Sequence, residues 1–318
     1  MTGSELLLAA AVDALVGDPR WLPHPVRGMG CAIVWCDEHV RIIARSPYAL
    51  RVAGLCLAVG LPSLMYLLAS TAIAAAWELS GWFGGLVSIG LAATTLAGRD
   101  LWDHVRAVSE QLQQGNLSGA RQAVAMMVGR DTGRLSESEV VRATVETVAE
   151  SAADGVMAPL FYLAIGGAPL ALAYKAVNTL DSMIGHRDER HIDFGWASAR
   201  LDDVANWFPA RLTAVLLVLA AVLVMGNVDR MRSGWRVFRR DGGKHPSPNS
   251  GRPEAAMAGA LGVQLGGLNY YDGVPQERPL MGDASRGLIV GDILVATQMM
   301  VMASVLGVVT AVGILWLV

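Results

Sequence analysis

The chain has 318 residues, 53% of them hydrophobic and only 17% charged, with a mean hydropathy of +0.42. Soluble domains carry about 25% charged residues, so this composition excludes an ordinary water-soluble domain and points to membrane integration. The net charge of −3 carries no nucleic-acid footprint, and Cys31, Cys36 and Cys56 match neither a zinc pattern nor a disulfide framework, so they read as ordinary buried thiols.

In chain order, the N-terminal apolar run from Leu6 is broken by Asp13, too short to span alone, and lacks the basic flank of a cleavable signal peptide. GDPRWLPHPVRGMG (17–30) follows, and its prolines predict a fixed-shape loop that presents Asp18, His24 and Arg27. Val52–Trp77 and Ile293–Val318 are each 26 residues without a charge, where about 20 suffice to span a bilayer. Leu79–Gly98 is a further run of 20, and Leu212–Val228 a marginal one of 17. The connection Glu78–Gly84 holds no Lys or Arg, whereas all 25 basic residues fall in 20–51 or 99–286. The positive-inside rule therefore puts the basic segments in the cytoplasm and the C-terminus outside.

Residues 99–154 predict polar helices. One ends at Gly115-Asn116, a second at Gly129, and a third starts at Ser136 with Glu139 completing a capping box. The uncharged run Gly155–Tyr174 is broken at Ile165-Gly166-Gly167-Ala168-Pro169, which predicts a re-entrant pair of half-helices. Residues 229–292 are polar and rich in Gly and Pro; they hold the basic cluster Arg230–Arg240, suited to anchoring on anionic lipid, and show no alternating β pattern. The expected fold is all-α: a polytopic membrane protein with four to five membrane-embedded helical segments, one re-entrant, and helical cytoplasmic loops. It is read as one domain over 1–318, its site built from 17–30, 99–154, 175–211 and 241–292.

Dense polar clusters press against the apolar runs. An Asp at a membrane helix centre costs roughly 2.5–3.5 kcal/mol, so such crowding suggests a site. At helical spacing Glu146, Glu150 and Asp154 share a face, and three bare carboxylates there require cations, arginines or protonation to compensate. Lys175, Asn178 and Ser182 lie within an arc of about 60°, with Asp181 about 60° further round. Asp202, Asp203 and Asn206 repeat the theme: paired carboxylates with an amide suit Mg²⁺ or an ammonium group. Arg27, Arg99 and Arg130 are candidates to grip phosphate or carboxylate. Ser247 and Asn249, amid Pro246 and Pro248, form a rigid polar loop or simply a turn. His186 and His191 frame the charged RDER loop and read as surface residues. No P-loop, HExxH or GxSxG pattern is present.

Eight stretches run in order along nearly the whole chain: GDPRWLPHPVRGMG, LAGRDL, VGRDT, VETVAESAADGVMAPLFY, GGAPLALAYKAVNTLDSMIGH, RLDDVANWFPARL, HPSPNSGRPEAAMAGALGVQLGG and GDA. Together they resemble the adenosylcobinamide-phosphate synthase family of cobalamin biosynthesis. The resemblance implies an inner-membrane enzyme with a cytoplasm-facing site. It would ligate adenosylcobyric acid, a corrinoid, to (R)-1-aminopropan-2-ol O-phosphate or a related amino-alcohol phosphate, with ATP as co-substrate and Mg²⁺. On this reading Glu146, Glu150, Asp154 and Lys175 are catalytic, the Glu146/Glu150 pair serving as general base and Lys175 meeting the nucleotide or the activated acyl oxygen. Asp181, Asp202 and Asp203 hold the metal. Asp18, His24, Arg27, Arg99, Arg130, Asp131, Asn178, Ser182, Asn206, Ser247 and Asn249 bind substrate, with Arg27 and Arg130 on the amino-alcohol phosphate. Trp21, Trp196 and Trp207 suit either the corrinoid ring or an interfacial aromatic belt. Lipid is an expected partner and nucleic acid is not, and the resemblance is compatible with homo-oligomers and with contacts to other cobalamin-pathway enzymes. Two alternatives are a non-catalytic membrane sensor related to the β-lactamase-induction family and a corrinoid transporter. The first would not need the full motif set, and the second should show two comparable halves.

Overall fold

A computed structural model describes residues 1–19, 21, 23–186 and 188–317. Arg20 and Leu22 of the proline-rich motif, Arg187 of the charged loop and the terminal Val318 lie outside the described residues. The chain groups into two compact units: Met1–Ala97, Ala158–Asn206 and Val308–Val318 form the first, and Gly98–Met157 and Trp207–Gly307 the second.

In the first unit α1 (Gly3–Val16) opens on a capping box, with Thr2 Oγ1 accepting from the Glu5 N–H at 3.2 Å and the Glu5 carboxylate accepting from the Thr2 N–H at 2.7 Å. The proline-rich segment is a loop only as far as His24. Pro25 takes the first position of α2 (Pro25–Ile43), where its missing N–H costs nothing and its fixed φ suits the helix. Helix α3 (Pro47–Leu79) runs 33 residues, and Ser80 alone joins it to α4 (Gly81–Ala93) by capping both. Within the expected span at 79–98 this helix runs 13 residues, about 20 Å, and a short turn over 94–97 joins it to the next helix, the whole stretch Gly81–Gln113 being long and apolar enough to cross a membrane.

Helix α8 (Ala158–Ile184) carries the expected break, at Gly166 (φ −138°, ψ 15°) and Gly167 (φ 65°, ψ −164°). Only glycine adopts the second of these without strain. Helix α9 (Trp196–Ala205) follows. Met29 and Ile33 of α2, Leu61 and Ala69 of α3, Leu172 and Leu180 of α8, and Phe194 share one core. The 185–195 loop is pressed onto α3 so closely that a Cβ on Gly54 would meet the Phe194 carbonyl oxygen. His191 is not the surface residue expected: it is bonded to Asp188 at 2.9 Å and approaches Asp37. Burial opposes the charge on Asp37, but hydrogen bonds from Arg41 and Arg190 outweigh it and hold the carboxyl below the usual range.

The second unit contains α5 (Gly98–Gln113), α6 (Leu117–Ala125) and α7 (Glu137–Ser151). Helix α6 stops four residues short of Gly129, whereas α7 starts on the expected capping box between Ser136 and Glu139. A π-helical turn over Ala152–Met157 follows α7. Asp154 falls in this wider turn, so the carboxylate face at 146 and 150 does not continue to it at α-helical spacing. Then come α10 (Trp207–Met225), α11 (Val228–Asp241) and α12 (Gly251–Leu261), the last buried along nearly its whole length.

The absence of a β pattern in 229–292 is corrected by an antiparallel hairpin of β1 (Leu265–Tyr271) and β2 (Val274–Met281). Asp272 (φ 50°) and Gly273 (φ 78°) form its two-residue turn, both with positive φ as a type I′ turn needs. Asp131 holds the turn: its N–H donates to the Tyr270 carbonyl and its carboxylate accepts from the Gly273 N–H, each at 2.8 Å.

Helix α13 (Gly291–Leu317) closes the chain. Among the described residues five helical stretches are long and apolar enough to cross a membrane: Pro47–Leu79, Gly81–Gln113, Glu137–Ile184, Trp207–Met225 and Gly291–Leu317. Leu55, Val59, Leu64, Leu67 and Leu68 leave α3 with an exposed apolar exterior that suits lipid contact. The protein is a mostly helical, multi-pass membrane protein. Its three cysteines are free, and Cys31 and Cys56 are exposed rather than buried.

Candidate active site

Two polar groups stand out, one in each unit. In the first unit α9 buries Asp202, and Asn206 caps the helix four residues on. Asn206 donates from Nδ2 to Asp202 Oδ1 at 3.0 Å and accepts on its own Oδ1 from the Tyr174 hydroxyl at 2.9 Å. Tyr162 stacks on Tyr174 with centroids 4.9 Å apart and donates to the Ala205 carbonyl at 2.9 Å. Burial pushes the Asp202 carboxyl up to about 7, and the nearby Asp181 and Asp203 add to this against hydrogen bonds from Asn206 and Asn178. The structure thus brings together Asn178, Asp181, Asp202, Asp203 and Asn206.

Other expected residues of this unit have local engagements. Ser182 donates to the Asn178 carbonyl at 2.8 Å, and Arg200 pairs with Asp203 at 3.4 Å. Asp18 pairs with His24 at 3.1 Å and Arg27 donates to the Pro19 carbonyl at 3.5 Å, which folds the proline-rich segment onto itself. Lys175 sits half-buried on α8, one turn before Asn178. Trp196 is exposed and, with His186, Arg200 and Asp203, lines an open hollow of about 360 Å³. Among the described residues no three His, Cys, Asp or Glu side chains are arranged as a metal centre. Buried Asp202 beside Asp181 nonetheless offers the two carboxylates that suit a cation of the Mg²⁺ kind, which takes one or two carboxylates and completes its shell with water and phosphate.

In the second unit Glu146 is fully committed. One oxygen meets Arg130 at 2.5 Å and the other accepts the Gly266 N–H at 2.8 Å. Burial works against the Arg130 charge, but Glu146 outweighs it and raises the guanidinium pKa. Arg130 and Arg142 both donate to Asn269 Oδ1 at 2.9 Å, and Arg142 also reaches the Gly266 carbonyl. Glu150, one turn further along α7, is exposed and accepts the Ser250 hydroxyl at 2.8 Å. Glu254 lies buried in α12, and burial, with Glu146 and Glu150 beside it, pushes its carboxyl well above the usual range. The compensation that the carboxylate face demands is therefore an arginine at Glu146, while the neighbouring Glu254 is pushed towards its neutral form. Ser247 accepts the N–H groups of Asn249 and Ser250 at 3.3 Å, so the loop over 247–250 is a built turn. Arg99 pairs with Asp103 at 2.9 Å on an exposed side of α5.

The sequence profile of the CobD/Cbib protein family matches residues 6–300. This chain belongs to the CobD/CbiB family. The cobalamin biosynthesis protein CobD of Geobacter metallireducens is 50% identical over 286 residues, covering 90% of this chain and 88% of that protein. That of Klebsiella pneumoniae is 46% identical over 313 residues, covering 98% and 97%. The cobalamin biosynthesis protein CbiB of Salmonella typhimurium is 44% identical over 302 residues, covering 94% and 93%. No solved structure matches.

In this CobD/CbiB chain, sequence reasoning passed over Glu254, His245, Asn269, Arg278, Tyr162 and Tyr174. His245 and Glu254 stand inside the long HPSPNSGRPEAAMAG motif, and a lone carboxylate in a helix of small residues was the available signal for Glu254. Arg278 and Asn269 carried none, because they come into play through the hairpin.

Proposed function

We propose that this CobD/CbiB protein is an adenosylcobinamide-phosphate synthase, a ligase that joins a propionate carboxylate of adenosylcobyric acid to the amine of an amino-alcohol phosphate. The observation that carries the reading is the family match over residues 6–300. The chemistry sets three tasks. A free carboxylate is a poor acyl donor and needs activation, most simply as an acyl phosphate at the expense of ATP. The attacking ammonium must lose a proton to a base. The phosphate charge must be balanced.

Glu150 suits the base: it is exposed, held by one hydroxyl, and keeps lone pairs for a substrate ammonium. Glu146, with both oxygens engaged, suits positioning, since it fixes Arg130 and the start of β1. Asp181, Asp202 and Asp203, with Asn178, are the residues that would hold Mg²⁺, which supplies charge neutralisation at phosphate oxygens. Lys175 remains the candidate for the nucleotide or the acyl oxygen. Arg130 donates to Glu146 and Asn269, which favours a positioning role for it over the phosphate contact that its motif suggested.

For topology, the basic residues of 20–51 and 99–286 favour cytoplasmic loops, and the break at Gly166-Gly167 favours a re-entrant α8. Reporter fusions at residues 120, 195 and 270 should all report cytoplasm. The decisive assay supplies purified protein in detergent with adenosylcobyric acid, aminopropanol phosphate and Mg²⁺, with and without ATP, and follows products by mass spectrometry. ATP-dependent cobinamide phosphate is expected. Full activity in Glu150→Gln and Asp203→Asn would remove the roles given to these carboxylates.

A further inference from the structure

His245 is approached by a hydrogen-bond donor on each side. Its Nδ1 lies 3.0 Å from the Ser247 backbone nitrogen, and its Nε2 lies 3.1 Å from Arg278 Nη1. A neutral imidazole offers one lone pair and one N–H, so it accepts from one of these neighbours and turns an N–H towards the other. An imidazolium would accept from neither, and burial together with the Arg278 charge keeps the ring neutral by lowering its pKa. The guanidinium cannot give up its proton.

The loop decides the tautomer. Ser247 anchors a tight turn, accepting from the N–H groups of Asn249 and Ser250 while its own N–H donates to His245 Nδ1. With Nδ1 as acceptor, the ring proton sits on Nε2 and faces the guanidinium. Arg278 is held from the far side by Tyr271, whose hydroxyl accepts from Nη2 at 3.1 Å. The Nε2–H and the guanidinium therefore stand 3.1 Å apart as two donors that cannot bond each other, and an oxyanion beside them that accepts from both completes the arrangement.

A carboxylate is part of the same surroundings. Glu150 acts electrostatically on His245, and it accepts from Ser250, which the Ser247 turn positions. A purely anionic ligand would be repelled there. A short zwitterion, with a phosphate at one end and an ammonium at the other, satisfies the donors and the carboxylate together. We propose that His245 and Arg278 receive the phosphate monoester of the amino-alcohol phosphate and Glu150 its ammonium group. This assignment rests on the synthase reading for the identity of the ligand. It explains why the base proposed above stands beside a donor pair: the phosphate would fix the amine at the group that deprotonates it.

The test is isothermal titration of the purified full-length protein with 1-aminopropan-2-ol O-phosphate, with 1-aminopropan-2-ol, and with ATP, on wild type and on Arg278→Gln, His245→Asn and Glu150→Gln, each checked by its thermal midpoint. Arg278→Gln should weaken the amino-alcohol phosphate by about tenfold or more, as loss of a charge-assisted bond implies, and leave the dephosphorylated amine and ATP within about twofold. Glu150→Gln should weaken both amines. In turnover, Arg278→Gln should raise KM for the amino-alcohol phosphate while those for ATP and corrinoid hold. Since His245 braces its own loop, Arg278→Gln decides the matter should His245→Asn fail to fold. Unchanged affinity in a folded Arg278→Gln variant overturns the subsite, as does absence of binding to wild type. Weakening of ATP instead assigns the donors to a nucleotide phosphate and also overturns it. A wild type that binds the amino-alcohol phosphate in an Arg278-dependent way but forms no product sustains the subsite and breaks the synthase reading.

Discussion

The polar groups of the two units handle buried carboxylates by different means. Asp202 in the first unit is steadied by the amides of Asn206 and Asn178 and crowded by Asp181. Glu146 in the second is met by a guanidinium and a backbone N–H. An amide leaves the carboxylate's charge in place, so the first group keeps an appetite for a proton or a cation. The arginine cancels it, so Glu146 is structurally settled, and the chemistry proposed for that unit falls to Glu150, His245 and Arg278. Burial alone therefore does not identify the reactive carboxylate; the kind of partner does.

The comparison predicts its largest effect at Glu146. Glu146→Ala leaves the Arg130 charge buried without its partner, and loss of one member of a buried pair costs about 3–5 kcal/mol. Denaturation in detergent should show that loss, together with loss of activity. A stable Glu146→Ala variant would break the claim that this carboxylate is settled by Arg130. Glu150→Gln should do the reverse: turnover falls about 10²–10⁴-fold, the range for a general base, while the melting midpoint holds.

Glu254 sharpens the contrast through pH. Its carboxyl is raised above the unfolded value of 4.5, so the folded chain binds the extra proton and stability falls as pH rises above that value. Glu254→Gln should flatten this part of the midpoint-against-pH profile and leave the protein as stable as wild type, or more so, at alkaline pH. An unchanged slope would mean that Glu254 is ionised in the fold. The smallest effect belongs to Arg99. Its exposed pair with Asp103 is worth at most about 0.5–1 kcal/mol, so Arg99→Ala should barely move the midpoint. A clear drop in activity at unchanged stability would then point to contact with substrate.

Much of the fold was legible because its signals are local. The apolar runs behind α3, α10 and α13, the Ser136/Glu139 capping box and the Gly166-Gly167 break each lie within one stretch of chain. The hairpin was missed although Asp272-Gly273 stands between NYY and VPQ; Gly266-Gly267 and Pro275 interrupt the alternation that would have framed it. Of the site, the pairing of Asp202 with Asn206 could be read from spacing, whereas Asp181 joins them from another helix. Which carboxylate is neutralised could not, because Glu146 takes its partners from residues 130 and 266, and Glu254 is shifted by side chains of another helix. Helical periodicity says which residues share a face and nothing about what that face meets.

The hairpin also gives the chain a schedule. Gly266, which completes the bonding of Glu146, lies 120 residues downstream. At the usual pace of about 5–20 residues per second, a ribosome needs roughly 6–24 s to deliver it. Arg130 is already synthesised when Glu146 emerges, so the nascent carboxylate has its counter-charge throughout that interval. The strand that finishes the coordination of Glu146 is thus the last of its partners to be made.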